Sequence, residues 1–341
     1  MTARTQGTLY GRSTVEPFFS RKIRRESGRN AAVRLDHRHR GKVLLAAGCG
    51  RSAWLTLCVT RKPTAIVSAE MRVVSVGHGF FAAVLIAAGI VFLIKGNFGV
   101  TGDGMPMDML AHDALAYLYI AISLACGIGL FWRNTAPYAA GALLVYELLW
   151  MLVFKVPGIV LAPLSGLPYE SWGETAVVVA GAWVLYAWFA NAPDRKYPGF
   201  ASGNNGVRVA RVFYGLAMLA FGQAHFVYLN LTAPLVPGWL PWHAAWAYFF
   251  GATYLAAGIA VLIGVYARLA AALSAIQMGL FTLLVWLPVM LGGHADAGQW
   301  GEFMGSLSFT AGGWVVADSY RRLPWLARKP ASIVSKTVYP L

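Results

Sequence analysis

A shift of 131 residues lays Leu110–Pro157 on Pro241–Pro288 without a gap. His112 then meets His243, Ala116-Tyr117 meets Ala247-Tyr248, Gly127-Ile128 meets Gly258-Ile259, and Pro157 meets Pro288. Further on, Ala180-Gly181 and Trp183-Val184 meet Ala311-Gly312 and Trp314-Val315 at the same offset, while Trp172-Gly173-Glu174 meets Trp300-Gly301-Glu302 at an offset of 128. Shared Ala or Gly alone would mean little in so apolar a chain. A shared His, a shared Trp-Gly-Glu and a shared Pro in one order indicate an internal duplication of a unit of about 110 residues. That period is too long for a solenoid and fits a repeated membrane bundle.

The apolar runs indicate the fold of each copy. Eight of them occupy 73–95, 112–132, 136–157, 174–191, 208–230, 243–265, 268–292 and 301–319. Each is near the ~20 residues that cross a ~30 Å hydrocarbon core, the fourth and eighth being the shortest. Runs of this length predict helices, because backbone polar groups in lipid must be satisfied internally and barrel strands are shorter. The chain is 58% apolar and 12% charged, whereas soluble domains are about 25% charged. The expected fold class is therefore all-α: a polytopic membrane protein with eight transmembrane helices as a tandem duplication of a four-helix bundle. The halves are residues 73–191 and 208–319, with a linker over 192–207 and a basic tail over 320–341.

The formal net charge of +14 would suit a nucleic-acid partner, but residues 1–70 carry 14 of the 28 Lys and Arg and only 4 of the 14 acids. The excess lies outside the bundle, and no nucleic acid is expected. Within that stretch Arg21, Lys22, Arg24, Arg25, Arg29, Arg34, Arg38 and Arg40 form a basic run with no apolar period. It reads as a transit peptide, as a disordered cytoplasmic tail near anionic lipid, or as sequence upstream of a true start at Met71, the preferred reading. The three cysteines, Cys49, Cys58 and Cys126, form no Cys-x-x-Cys, so neither a disulfide framework nor a cysteine metal site is indicated.

Orientation is set by charge. Arg72, Arg133, Arg195, Lys196, Arg208, Arg268 and the basic residues from Arg321 to Lys336 occupy alternate connections, and Asp103, Asp108, Glu170, His294 and Asp296 occupy the others. Positive charge stays in the cytoplasm. Both termini are then cytoplasmic, and two four-span copies share one orientation about an axis along the membrane normal. The expected location is a cell membrane, the bacterial inner membrane first, with the lipid bilayer as partner.

The second half carries Arg211, Gly215, Gly222 and His225-Phe226 in its first span, then Gly258, Gly264, Arg268-Leu269-Ala270-Ala271 and Met278, then Glu302 and Gly312-Gly313. In these residues it resembles the DoxX/DoxD-like family of four-helix membrane proteins. The first half keeps Gly89, Gly127, Arg133 and Glu174 of that pattern. Many members carry an acidic residue one turn before the place of Gly258, and here that place is Tyr254. The resemblance implies a small membrane component. Some relatives are subunits of thiosulfate:quinone oxidoreductase, and others are linked to oxidative-stress defence.

Several side chains could carry chemistry. Glu147 sits mid-span between Leu143 and Trp150. A carboxylate at that depth costs on the order of 3 kcal/mol, so it faces the bundle interior or is protonated. It reads as a proton-relay group or as a protonated acid bonded to a neighbouring helix. Lys155 is eight residues on, about 12 Å along a helix, too far to pair with it directly and able to extend outward to the headgroups. The second half has Met278 and Trp286 at these places. Gln223, His225 and Gln277 read as interhelical hydrogen-bonding groups, and His225 with His243 as a two-helix pair of haem ligands. There is no Walker loop, dinucleotide glycine fingerprint, His-Glu-x-x-His or Gly-x-Ser-x-Gly, so nothing marks a hydrolase or nucleotide enzyme. Trp172, Trp239, Trp242, Trp246 and Trp300 read as an aromatic belt near the outer ends.

The strongest candidate site is an outer cluster of His225, His243 and Glu302, copied in the first half as His112 and Glu174. His225 lies 17 residues past Arg208, about 26 Å along a helix, near the far face of a ~30 Å core. His243 and Glu302 open the sixth and eighth spans from that side. With Gln223 and Tyr254, these groups could exchange protons with a quinone ring or another carbonyl ligand; alternatively they are only solvated beside headgroups. Phe92 stands near the place of His225, which makes the second half the expected site. The functional expectation is an accessory or quinone-contacting component of a membrane redox system, with a soluble or membrane redox protein as partner and quinone as cofactor. Its rivals are a small-molecule or lipid transporter with a site between the repeats, and a non-catalytic scaffold subunit.

Overall fold

A computed structural model describes residues 31–35, 42–47, 55–58, 71, 73–95, 112–190 and 199–328. Arg72, Asp103, Asp108, Arg195, Lys196 and Lys336, used above for orientation, and the basic run from Arg21 to Arg29 lie outside the described residues. The chain divides into two compact regions, Met1–Ser68 and Ala69–Leu341. In the first, β1 (Ala31–Leu35), β2 (Lys42–Ala47) and β3 (Leu55–Cys58) form an antiparallel sheet in the order β1-β2-β3, with Ala31 opposite Ala47 and Lys42 opposite Cys58. An all-α chain with an irregular tail does not anticipate this sheet. Short apolar runs such as Val43-Leu44-Leu45 are long enough for strands but not for helices.

Among its described residues the second region is helical, apart from one bridge between Met71 and Trp132. Its helices are α1 (Val76–Lys95), α2 (His112–Leu130), α3 (Ala136–Trp150), α4 (Val156–Leu161), α5 (Leu167–Phe189), α6 (Gly203–Val227), α7 (Leu229–Thr232), α8 (His243–Ile263), α9 (Ala267–Phe281), α10 (Leu287–Leu291) and α11 (Ala297–Asp318). A π-turn at Met151–Lys155 joins α3 to α4, and another at Thr282–Trp286 joins α9 to α10. Each π-turn lies just before a proline, Pro157 or Pro288. Proline has no N–H and its ring crowds the carbonyl four residues back, which forces the ladder to widen there. Ala267 comes 131 residues after Ala136, and Thr282 comes 131 after Met151, so the repeat extends to helix starts and to this local distortion.

The fourth and eighth long helices are not the shortest. The structure starts α5 at Leu167 and α11 at Ala297, ahead of their apolar runs, because the polar first turns are helical too. At α11 the reason is a capping box: Gln299 N donates to Asp296 Oδ1 at 2.8 Å, and Asp296 N donates to Gln299 Oε1 at 3.0 Å.

Six helical stretches among the described residues are long and apolar enough to cross a membrane, or seven if α6 is taken with the segment to Leu235, which is bent 91° from it. Outward-facing side chains are apolar: Leu149, Leu152, Val153, Ile259 and Leu283 are each more than half exposed. Such an exterior suits hydrocarbon rather than water. The architecture is that of a polytopic helical membrane protein.

Around the bundle α1 packs on α2, α2 on α3, α3 on α5, α5 on α6, α6 on α8, α8 on α9, α9 on α11, and α11 back on α1. Across the middle α5 packs on α11. The first helix of each half thus seats on the fourth helix of the other half, which departs from two self-contained four-helix bundles. Small residues at the centre allow it, since close backbone approach drives helix association in lipid.

One end of the bundle holds Arg211, Arg268 and Arg321. Gly77 N donates to Asp318 Oδ2 at 2.9 Å, and Arg321 donates to Val74 O at 3.2 Å. Arg211 bonds Ser319 and lies 3.7 Å over the Tyr320 ring, while Arg268 donates to Leu323 O at 2.7 Å and covers Trp325 at 3.9 Å. These contacts hold the starts of α1, α6 and α9 against the end of α11.

Candidate functional site

At the opposite end a cavity of about 240 Å³ opens among α5, α6, α8, α9 and α11. His225 of α6, Tyr254 of α8, Gln277 of α9 and Glu302 of α11 line it, together with Glu170 and Glu174 of α5. Phe221, Phe250, Phe281, Phe309 and Met278 supply an apolar wall. The cavity is therefore polar on one side and greasy elsewhere, as small-molecule sites usually are.

The polar groups are held by hydrogen bonds to the surrounding helices. His225 Nδ1 donates to Phe221 O at 2.8 Å; a carbonyl can only accept, so the proton sits on Nδ1 and Nε2 is the basic nitrogen. Its ring lies 5.7 Å from that of buried Tyr254. Gln277 Oε1 accepts from Thr253 Oγ1 at 2.7 Å, and Gln277 Nε2 donates to Phe250 O at 3.1 Å, tying α9 to α8.

Gln223, a candidate for the site, points elsewhere. Its Nε2 donates to Gly166 O at 2.9 Å. Tyr228 Oη accepts from Gly166 N at 2.8 Å and from Leu167 N at 3.2 Å. These are amides at the helix start that have no partner within the helix. Tyr228 of the second half thus caps the helix of the first half that bears Glu170 and Glu174, and Gln223 pins the residue before its start.

His243 is not in the cavity either. It lines a separate open cleft with Val227, Leu229, Asn230, Ala233, Pro234 and Ala244. The segment Leu229–Leu235, bent away from α6, gives Asn230 and Ala233 to that cleft and Thr232 and Leu235 to the cavity, so it stands between the two histidines. The cluster of His225, His243 and Glu302 is thereby reduced to His225 and Glu302, and the haem-ligand pair is not formed. The side chain of His112 lies outside the described residues.

The duplication puts Glu174 in a separate copy of the site, yet it faces the same cavity as Glu302. Glu170 joins them, although its place in a connection suggests no such role. The signal that could have found both is the shared Trp-Gly-Glu: if the fourth helices sit centrally, their equivalent carboxylates approach one another. The first half's own counterpart cavity holds only about 20 Å³ and is lined by Phe92, Tyr119, Glu174 and Phe309 among others. Phe92 does occupy the place of His225. A Cβ on Gly89 would meet Leu124 Cγ at 2.6 Å, and one on Gly222 would meet Leu255 Cγ at 2.6 Å; Phe92 and His225 each come three residues after those glycines.

Glu147 is fully buried, and neither of its carboxyl oxygens has a hydrogen-bond partner among the described residues; the same holds for Tyr146 Oη and Ser123 Oγ. The bonded-acid reading thus finds no partner among the described residues. Lys155 does not extend to the headgroups: it is 3% exposed, and its Nζ donates to Ser171 Oγ at 2.8 Å. The π-turn is the reason, since one extra residue in the turn rotates all later side chains by about 100° around the helix. Trp239 and Trp242 are exposed as a belt requires, but Trp172 stacks inward on Phe213 at 6.0 Å. Compared with family models, with curated proteins and with solved structures, the chain matches none.

Proposed function

We propose that the chain crosses the membrane eight times as two fused DoxX-like halves, with both termini in the cytoplasm of a bacterial inner membrane, and transports a small amphipathic molecule through the cavity between the halves. One observation carries this reading: the cavity wall combines Glu170 and Glu174 of the first half with His225, Tyr254, Gln277 and Glu302 of the second. Carriers built from repeats bind at the repeat interface. The three carboxyl groups in the lining favour a cationic head, and the four Phe rings suit its apolar body. The test is binding of tetraphenylphosphonium to the protein in nanodiscs, and then its uptake into proteoliposomes. Saturable binding and protein-dependent uptake are expected; a protein that does neither is no carrier of this class.

A second reading is favoured by the His225–Tyr254 pair. A basic imidazole nitrogen and a buried phenol among Phe rings suit a carbonyl ring, and so a quinone-contacting subunit of a redox system. Short-chain ubiquinone displacing tetraphenylphosphonium, or quinone and a dehydrogenase co-purifying with the chain, would favour it. A scaffold subunit would bind neither probe.

A further inference from the structure

We propose that Glu147, in the first half, is a proton-binding site coupled to occupancy of the cavity between the halves. The inference rests on the reading of the cavity as a ligand site. It starts from a difference between the copies. Met278 and Trp286 line the cavity; the residues 131 positions earlier are Glu147 and Lys155, both buried. One copy has opened a binding space at the place where the other has closed around an acid and a base.

The surroundings of Glu147 suit a proton that comes and goes. Its carboxyl oxygens and the nearby Tyr146 hydroxyl are unsatisfied among the described residues, and an ionised carboxylate left so would cost several kcal/mol. The resting form is then the carboxylic acid. On α2 it faces Cys126, with Tyr119 beyond Tyr146; from the π-turn Lys155 acts on it through space. From α5, packed on the same helix, come Ser171, bonded to Lys155, and Tyr186, against Gly141. The proton leaves the carboxyl oxygen for bulk water, and the carboxylate that remains is stabilised by the Lys155 ammonium.

Coupling has a physical route. Ser171 sits on α5 between Glu170 and Glu174, the two carboxyl groups that α5 gives to the cavity. Lys155 is anchored on the same turn by its bond to Ser171. A cation entering the cavity adds positive charge beside that turn and favours the deprotonated state of Glu147; proton loss in turn favours the cation, because linkage is reciprocal.

The experiment uses the full chain in nanodiscs with tetraphenylphosphonium as probe and a pH-indicator dye in weak buffer. Binding to the parent should release a proton, and its affinity should rise with pH. Glu147→Gln should still bind but release none and lose the pH dependence. Infrared spectra without ligand should show a carboxylic-acid carbonyl band that is absent from Glu147→Gln. Lys155→Met, a second variant if Glu147→Gln does not fold, should keep that band and abolish release. Binding by the parent without proton release, or equal release from parent and Glu147→Gln, overturns the coupling. Identical infrared spectra overturn the proton site. If the parent binds no probe, the cavity reading fails and the coupling with it, while the infrared comparison still decides the proton site.

Discussion

Gly181 and Gly312, 131 residues apart in the chain, face one another where α5 crosses α11: a Cβ on Gly181 would stand 3.0 Å from the Gly312 Cα. Equivalent residues of a duplicated chain touch where the axis relating the copies passes between them. That axis therefore runs through the α5–α11 crossing, and it explains why Glu174 and Glu302 converge on one cavity.

Gly312→Ala should destabilise the protein more than Gly181→Ala. Its Cβ would meet Val177 O at 2.8 Å, whereas that of Gly181 comes no closer than 3.0 Å, to the Gly312 Cα, and 3.3 Å to the Phe81 ring. Overpacking of this kind costs about 1–3 kcal/mol. Thermal unfolding in detergent should place Gly312→Ala clearly below Gly181→Ala, and equal stabilities would contradict the crossing geometry.

Tyr228→Phe should leave the Gly166 and Leu167 amides without their acceptor, a loss of about 0.5–1.5 kcal/mol for a half-exposed hydrogen bond. Because the change loosens the turn before Glu170 and Glu174, probe affinity should fall along with stability. Hydrogen exchange at the start of α5 is the direct measurement; unchanged protection there would mean that the hydroxyl does not cap the helix.

Glu302→Gln and His225→Phe should each weaken tetraphenylphosphonium binding roughly tenfold or more: the first removes a negative charge facing a cation that forms no hydrogen bonds, and the second fills part of the cavity with a larger ring. Neither should unfold the bundle. His225→Phe reproduces what the first half already has in Phe92, whose cavity is nearly closed. Equilibrium titration in nanodiscs decides, and parental affinity in both variants would remove the cavity from consideration.

Asp318→Ala should free the start of α1. The carboxylate accepts from Gly77 N at 2.9 Å and so caps a helix from the far end of the chain. Loss of a capping carboxylate costs about 1 kcal/mol. Faster amide exchange confined to the first turn of α1 is expected, with the cavity end unaffected.

Much of this is legible in the sequence. The 131-residue offset carries through to helix starts and to both π-turns, because the prolines that widen the ladder are themselves duplicated. Apolar runs locate α1, α2, α8 and α9 well. They misjudge α5 and α11, whose polar first turns read as loop, and the first turn of α5 brings Glu170 to the cavity wall. Periodicity along one chain cannot show that the fourth helices are central, so it puts Glu174 in the wrong copy of the site. It also misplaces His243, because Tyr228 carries no signal of a 91° bend. Helical spacing misplaces Lys155, because a π-turn shifts every side chain after it.

The crossed seating of α1 on α11 and of α6 on α5 bears on how such a chain could be assembled. The first helix of each half packs mainly on the fourth helix of the other half, so the peptide link between α5 and α6 is not what keeps the halves together. Cut there, the protein would behave as an obligate heterodimer whose two subunits insert separately and then interlock. A gene encoding only one half would make a product with an uncovered flank, fit to pair with itself. Interlocking can therefore have preceded fusion: a symmetric pair comes first, one continuous reading frame comes next, and only then are the two copies free to diverge into an open cavity and a closed one.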